Sequence, residues 1–136
     1  MSHITINSSA ARYEISEDGT TVTDHATGLM WARDELPRQD YASAEKAVSD
    51  LCLGGYSDWR LPERAELLTI VDLDRHEPAI DTAVFKSAGD WTWTRTPCAW
   101  PSGHVWLVYF GDGGVNDLRR YHGALARAVR AAPAGQ

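Results

Sequence analysis

The stretch Gly54-Gly55-Tyr56-Ser57-Asp58-Trp59-Arg60-Leu61-Pro62, running directly into Glu63-Arg64-Ala65-Glu66-Leu67-Leu68, constrains this chain more than any other segment. It reads as a turn, then a buried Trp and Leu, then Pro62 as the first residue of a helix. Pro suits that position because its missing N–H would have had no partner and its φ is already helical. Glu63 and Glu66 then fall in the first turn, where they complement the positive end of the helix dipole. The stretch contains no nucleophile with its base, no metal cage and no phosphate cradle. It specifies architecture, so function has to be sought around it.

At 136 residues the chain has the size of one domain with one core, and its 43% hydrophobic content with six Trp supplies that core. The formal charge is −6, from 19 acidic and 13 basic residues. That balance argues against a general nucleic-acid binder, which needs a basic footprint for the phosphate backbone. The beginning, Met1-Ser2-His3-Ile4-Thr5-Ile6-Asn7, shows no basic n-region and no apolar h-region, and no run approaches the ~18 apolar residues of a membrane span. The expectation is a cytoplasmic protein with no membrane partner. Cys52 and Cys98 lie 46 positions apart, which is no zinc spacing. In a reducing compartment they read as two unpaired thiols, with a disulfide as the alternative.

Along the chain, Tyr13-Glu14-Ile15 and Thr21-Val22-Thr23-Asp24 flank an Asp18-Gly19 turn and read as a hairpin. A turn at Ala26-Thr27-Gly28 feeds an apolar strand, Leu29-Met30-Trp31-Ala32, and Pro37 with Asp40 breaks the chain. From Tyr41 to Leu53 apolar residues recur at spacings of three and four (Tyr41, Ala44, Val48, Leu51, Cys52), which predicts a helix. Asp40 is its N-cap and Gly54-Gly55 its stop. A second helix is predicted from Pro62 to Asp72, burying Leu67, Leu68 and Val71 with Ile70 at its margin. Residues 73–90 lack periodicity. Strands follow at 91–96 and 104–110, then a turn at Gly111-Asp112-Gly113-Gly114, and a closing strand over 125–130. The fold class is α+β, and the tail from Ala131 to Gln136 reads as frayed.

Several of these motifs occur in a recognisable order. Asp18-Gly19-Thr20 with Val22-Thr23-Asp24, Ala26-Thr27-Gly28-Leu29-Met30-Trp31, the Gly54–Pro62 stretch with Glu66-Leu67, Pro78-Ala79-Ile80-Asp81, Trp91-Thr92-Trp93-Thr94 and Ala128-Val129-Arg130 resemble the Lcl C-terminal-like family, named after the C-terminal domain of a collagen-like adhesin. The resemblance covers about residues 15–130. It implies a C-type-lectin-like fold: two helices packed on a twisted antiparallel sheet, long irregular loops on the ligand face, and termini close together. The Trp-Arg-Leu-Pro element is also similar to one in sulfatase-modifying enzymes of related fold. Those enzymes act through paired cysteines in the C-terminal half, where this chain has Cys98 alone. True C-type lectins hold calcium through a Glu-Pro-Asn or Gln-Pro-Asp loop and a Trp-Asn-Asp strand. Here Glu77-Pro78-Ala79 lacks the Asn and Val115-Asn116-Asp117 lacks the Trp, too few oxygens for the ion. No cofactor and no metal are expected.

The remaining signal is aromatic density between Trp91 and His122. Trp91, Trp93 and Trp106 occupy strand positions and read as core. Trp100, on a loop flanked by Pro and Gly, and the run Arg119-Arg120-Tyr121-His122 do not. Trp, Tyr and Arg anchor protein interfaces, so the expected binding face comprises Trp100, His104, Asn116, Asp117, Arg119, Arg120, Tyr121 and His122. The function expected is a non-enzymatic binding module that docks onto a protein partner, such as a phage- or mobile-element-encoded effector acting on a host protein. The alternative is a glycan-binding module of a surface assembly. Neither reading involves nucleic acid, and a homo-oligomer is compatible with both.

Overall fold

The structure is a computed structural model that describes residues 12–100 and 102–133. The strands are β1 (Tyr13–Ile15), β2 (Thr21–Asp24), β3 (Leu29–Ala32), β4 (Leu36–Gln39), β5 (Trp91–Pro97), β6 (His104–Tyr109), β7 (Val115–Arg119), β8 (Ala124–Ala126) and β9 (Val129–Ala131). The helices, α1 (Tyr41–Ser49) and α2 (Arg64–Leu68), lie between β4 and β5 in the chain. The α+β class is as expected. The strands form two sheets, ordered β1-β2-β3-β9 and β4-β8-β5-β6-β7. All neighbours are antiparallel except β5 and β8, which pair in parallel at Thr92 and Leu125.

The opening hairpin forms where its Asp-Gly turn places it, with Tyr13 opposite Asp24 and Ile15 opposite Val22. β9 pairs with β3, which brings the two ends of the domain into one sheet. Arg12 fastens this sheet to α2: its guanidinium grips the buried Asp24 carboxylate at 2.9 Å through two nitrogens and donates to the Thr69 carbonyl at 2.6 Å.

β6 separates two apolar clusters by strand alternation. Val105 and Leu107 join Trp93, Tyr41, Ala44, Val48, Trp59 and Leu61. Val108, and Phe110 just beyond the strand, face the other way, into Trp31, Leu67, Ile70, Ile80, Phe85 and Val129. The single core expected from sequence is therefore two, with Trp59 and Leu61 in one and Trp31, Leu67 and Val129 in the other.

Four local expectations need correction. First, α1 is N-capped by Asp40, which accepts the Ser43 N–H at 2.8 Å, but it ends at Ser49 and leaves Cys52 exposed. Gly54 and Gly55, at φ 63° and 86°, do not stop it. They form the centre of a two-residue turn that closes a Leu53–Tyr56 bridge, a conformation that disfavours any side chain. Second, α2 is a short helix capped by Glu63, not by a leading Pro62. The Glu66 carboxylate returns to the Glu63 N–H at 2.8 Å in a capping box. Past Leu68 the chain tightens into three-residue hydrogen bonds, Ile70 to Leu67 and Val71 to Leu68, both at 3.2 Å. The tighter winding rotates the side chains, so Ile70 is buried and Leu68 is 36% exposed, the reverse of the helical expectation. Third, residues 36–39 are strand rather than break, since Pro37 is tolerated on an edge strand with an irregular register. Fourth, the closing strand over 125–130 is divided: β8 joins the second sheet, β9 the first, and Arg127 and Ala128 cross between them.

The crossing is pinned by Arg127, which is 1% exposed. Its Nη1 donates to the carbonyls of Ala32 and Arg33 at 3.0 and 2.6 Å, and its Nη2 to Lys86 at 2.7 Å, with the Glu35 carboxylate 3.5 Å away. Burial pulls this guanidinium down to about 10, against the opposing pull of Glu35 and Asp34. The fold thus keeps a buried charge where two sheets and the 84–88 loop meet.

Candidate functional site

The expected binding residues gather at one end of the β5–β6–β7 ladder. Pro97 lies opposite Val105, and the Cys98 N–H donates to the His104 carbonyl at 2.9 Å, so residues 98–104 close a hairpin tip that carries Trp100. His104 in turn lies opposite Arg119, where β7 ends. The chain then turns, with the His122 N–H reaching the Arg119 carbonyl at 3.1 Å. The Arg120 carbonyl accepts the Tyr41 N–H at 2.9 Å, and the Arg120 guanidinium lies 5.0 Å from the Tyr41 ring centroid. Arg38 steadies the far side of this turn by donating to the Gly123 carbonyl at 2.8 Å and pairing with Asp90.

On this frame Trp100 is 83% and Tyr121 72% exposed. Tyr121 lies against His122, with ring centroids 4.7 Å apart. His104 Nδ1 meets the Asp117 carboxylate at 2.7 Å on one face of the ladder. Alternation sends the Arg119 and Trp106 side chains to that same face, and the Arg64 guanidinium covers Trp106 at 4.5 Å. Trp93 is wholly buried, as expected of a core position; Trp91 is half-buried against the same cluster, and Trp106, also half-buried, lies under an arginine outside both clusters. Asn116 departs from the expected grouping. It alternates to the opposite face from Asp117, and its side-chain oxygen accepts the Asp117 backbone N–H at 2.8 Å on the outer edge of β7. Trp100, His104, Asp117, Arg119, Arg120, Tyr121 and His122 share one end of the domain, and Asn116 borders it.

A groove that local sequence did not announce runs between α1 and the Trp59–Leu61 segment. It has a volume of about 510 Å³ and is lined by Ala42, Glu45, Lys46, Ser49, Trp59, Arg60, Leu61 and Arg95. Its signal in the sequence was split between two distant segments, and only packing joins them. Its cations are engaged. Arg60 holds Glu66 through two 2.8 Å hydrogen bonds, Arg95 holds Glu63 at 2.5 Å, and Lys46 holds Asp50 at 2.9 Å. The guanidinium of Arg95 holds the Glu63 carboxyl below its ordinary value, and that of Arg60 does the same for Glu66.

Among the described residues no group of three or more His, Cys, Asp or Glu is arranged to hold a metal ion. Cys52 is exposed and Cys98 buried, both as free thiols, and the Cys98 thiol donates to the Trp100 carbonyl at 3.1 Å. Glu77, whose motif fell short of a calcium loop, sits at φ 49° with its N–H on the Gly111 carbonyl at 2.7 Å, at the opposite end of the β6–β7 hairpin from Trp100. Exposed Leu73 and Val115 also lie away from the Trp100 end. Among the described residues no helix is long and apolar enough to cross a membrane.

A search of the curated proteins finds no match to this chain. The family model described as the Lcl C-terminal domain matches residues 20–130, a span that takes in β2 through β8, both helices and Trp100 with Tyr121. With that much of the chain matched, and with the motifs of the sequence placed in one folded unit, the protein belongs to the Lcl C-terminal domain family.

Proposed function

We propose that the chain is a single C-type-lectin-like domain acting as a non-enzymatic binding module, which docks onto a protein partner through the Trp100–Tyr121 end. The observation that carries the reading is the exposure of Trp100 and Tyr121, at 83% and 72%, on neighbouring turns of an otherwise well-buried set of aromatics. Exposing large rings has a cost in water, and rings of this kind bordered by arginines are the usual centre of a protein interface. The His104–Asp117 pair gives the face a fixed polar edge. The lectin-like description is supported by two helices beside twisted sheets, a long irregular stretch over 69–90 and ends held in one sheet.

The test uses a partner captured from the native host and then purified. Trp100→Ala and Tyr121→Ala should each weaken its binding by about tenfold or more, the range for truncating a central anchor, with melting temperature unchanged. Arg119→Ala should act on the association rate and its salt dependence. Wild-type affinity in all three variants would move the docking face elsewhere, the groove beside α1 being the next candidate. A glycan ligand is the second reading, favoured by the same exposed rings, since aromatic faces stack on sugars. Saturable binding of an oligosaccharide, lost in Trp100→Ala, would establish it.

A further inference from the structure

The distribution of unpaired charge says what kind of partner the Trp100–Tyr121 end suits. All thirteen Lys and Arg of the chain lie within the described residues. Nine of them form ion pairs with carboxylates. The four that form none among the described residues are Arg33, Arg64, Arg119 and Arg120. Arg33 is directed inward, donating to the Val84 carbonyl at 2.9 Å. The other three stand at or beside the aromatic end: Arg119 opposite His104, Arg120 over Tyr41, and Arg64 over Trp106 on the face shared by His104 and Arg119. Nearby carboxylates are committed elsewhere. Asp117 holds His104, Asp90 holds Arg38, Asp40 accepts the Ser43 N–H, and Glu45, the carboxylate that shares Tyr41 with Arg120, is turned to the Tyr41 hydroxyl. At the other end of the β6–β7 hairpin, among the described residues, exposed Asp74, Glu77 and Asp112 enter none of the ion pairs, and Arg75 there is taken by Asp72.

A chain of net charge −6 has acid to spare, yet among the described residues Arg64, Arg119 and Arg120 enter no ion pair and stand by Trp100 and Tyr121, the exposed members of its Trp and Tyr. We propose, building on the docking reading above, that the partner presents a carboxylate-rich segment, whose apolar side chains meet Trp100 and Tyr121 and whose carboxylates meet Arg119, Arg120 and Arg64. Arginine on a ring face is weakly hydrated and keeps its planar fork open to a carboxylate. Arg120 and Arg64 lie so, on Tyr41 and Trp106, and together with Arg119 they make three cations that fit a short acidic protein segment. They do not make the long basic track that a nucleic-acid backbone requires.

The experiment titrates the whole ¹⁵N-labelled chain with three peptides of one length and one apolar pattern, whose polar positions are all Glu, all Gln or all Lys. The Glu peptide should bind about tenfold tighter than the Gln peptide at low salt, shift the amides of Arg119 and Arg120 and the Trp100 indole, and lose that advantage at high salt. The double variant Arg119→Glu/Arg120→Glu should prefer the Lys peptide. Equal binding of the Glu and Gln peptides at these residues would overturn the acidic-partner inference and leave docking there intact. Absence of shifts from all three peptides, or shifts confined to the groove beside α1, would overturn it as well. So would tighter binding of a short single-stranded thymidine oligonucleotide through the same arginines. Concentration-dependent shifts of the free protein linking Arg119 to Asp112 would instead make a second copy the occupant. Trp100→Ala should weaken the Glu and Gln peptides alike; if it weakens neither, the docking reading fails whatever the charge preference.

Discussion

Arg127→Met is the most demanding test of the fold, because it removes the one side chain that ties the β8–β9 crossing to two other segments. Met matches the stem of Arg in length and introduces no new polar atom, so the change isolates the guanidinium. Three carbonyls, of Ala32, Arg33 and Lys86, lose a charged donor, and the nearly buried Glu35 loses its cation at 3.5 Å. Hydrogen bonds to charged groups are worth about 1.5–3 kcal/mol each. Against that sum stands the relief of no longer burying a guanidinium, several kcal/mol; the same burial pulls the proton affinity of Arg127 down. Glu35 keeps the Ala88 N–H at 2.8 Å, which softens its loss. The net expectation is a destabilisation of about 3–5 kcal/mol, the range for removing one member of a buried ion pair. For a domain of this size that corresponds to a fall in melting temperature of about 10–15 °C, read by far-UV circular dichroism and by urea titration at neutral pH. Arg127→Lys should recover only part of it, since one ammonium cannot serve carbonyls on both the 32–33 and the 86 backbone. A melting temperature for Arg127→Met within about 2 °C of wild type would refute the argument that this arginine fastens the two sheets.

Trp59→Ala should cost about 3–5 kcal/mol by emptying a large aromatic site; Trp59 is 3% exposed and its indole donates at 3.2 Å to the Leu53 and Tyr56 carbonyls, so a soluble variant with unchanged melting temperature would remove it from the core. The double variant Cys52→Ser/Cys98→Ser should fold and keep partner binding, because both thiols are free; a loss of several kcal/mol seen only under oxidising conditions would reveal a structural disulfide. Stability should hold from neutral pH to about pH 5 and fall steeply below about pH 4. Burial raises Asp24, but hydrogen bonds from Arg12, the Ala26 N–H and Thr27 outweigh it, and Glu63 and Glu66 are lowered by Arg95 and Arg60. With folded values below unfolded ones, their contribution is present above the unfolded carboxylate range and is lost as pH falls through the folded values. Glu66→Gln, followed by thermal melts across pH, should flatten part of that fall; an unchanged pH profile would show that the Arg60–Glu66 pair is not responsible.

Local signals in the sequence act over a few residues, and where they acted alone they were legible. The Asp18-Gly19 turn fixed the β1–β2 hairpin, Asp40 capped α1, the alternation of residues 91–96 and 104–110 gave β5 and β6, and the motifs around Trp59 carried the family. The aromatic loop and the Arg119–His122 run were visible as residues that no strand would bury, and they stand at one end of the ladder. What the sequence could not decide was which partner each strand meets. Residues 125–130 read as one closing strand, yet their division between two sheets depends on β3 and β5, distant in sequence and present only after folding. Leu68 and Ile70 exchanged roles because the winding of α2 tightens where Thr69 caps it and the first sheet approaches. Arg127 reads locally as one more surface cation, and it is buried because three carbonyls from other segments converge on it. The same reason explains the charge pattern. Which arginine meets a carboxylate is a matter of tertiary neighbours, so composition set the excess of acid, and only the packed structure left Arg64, Arg119 and Arg120 outside the ion pairs of the described residues.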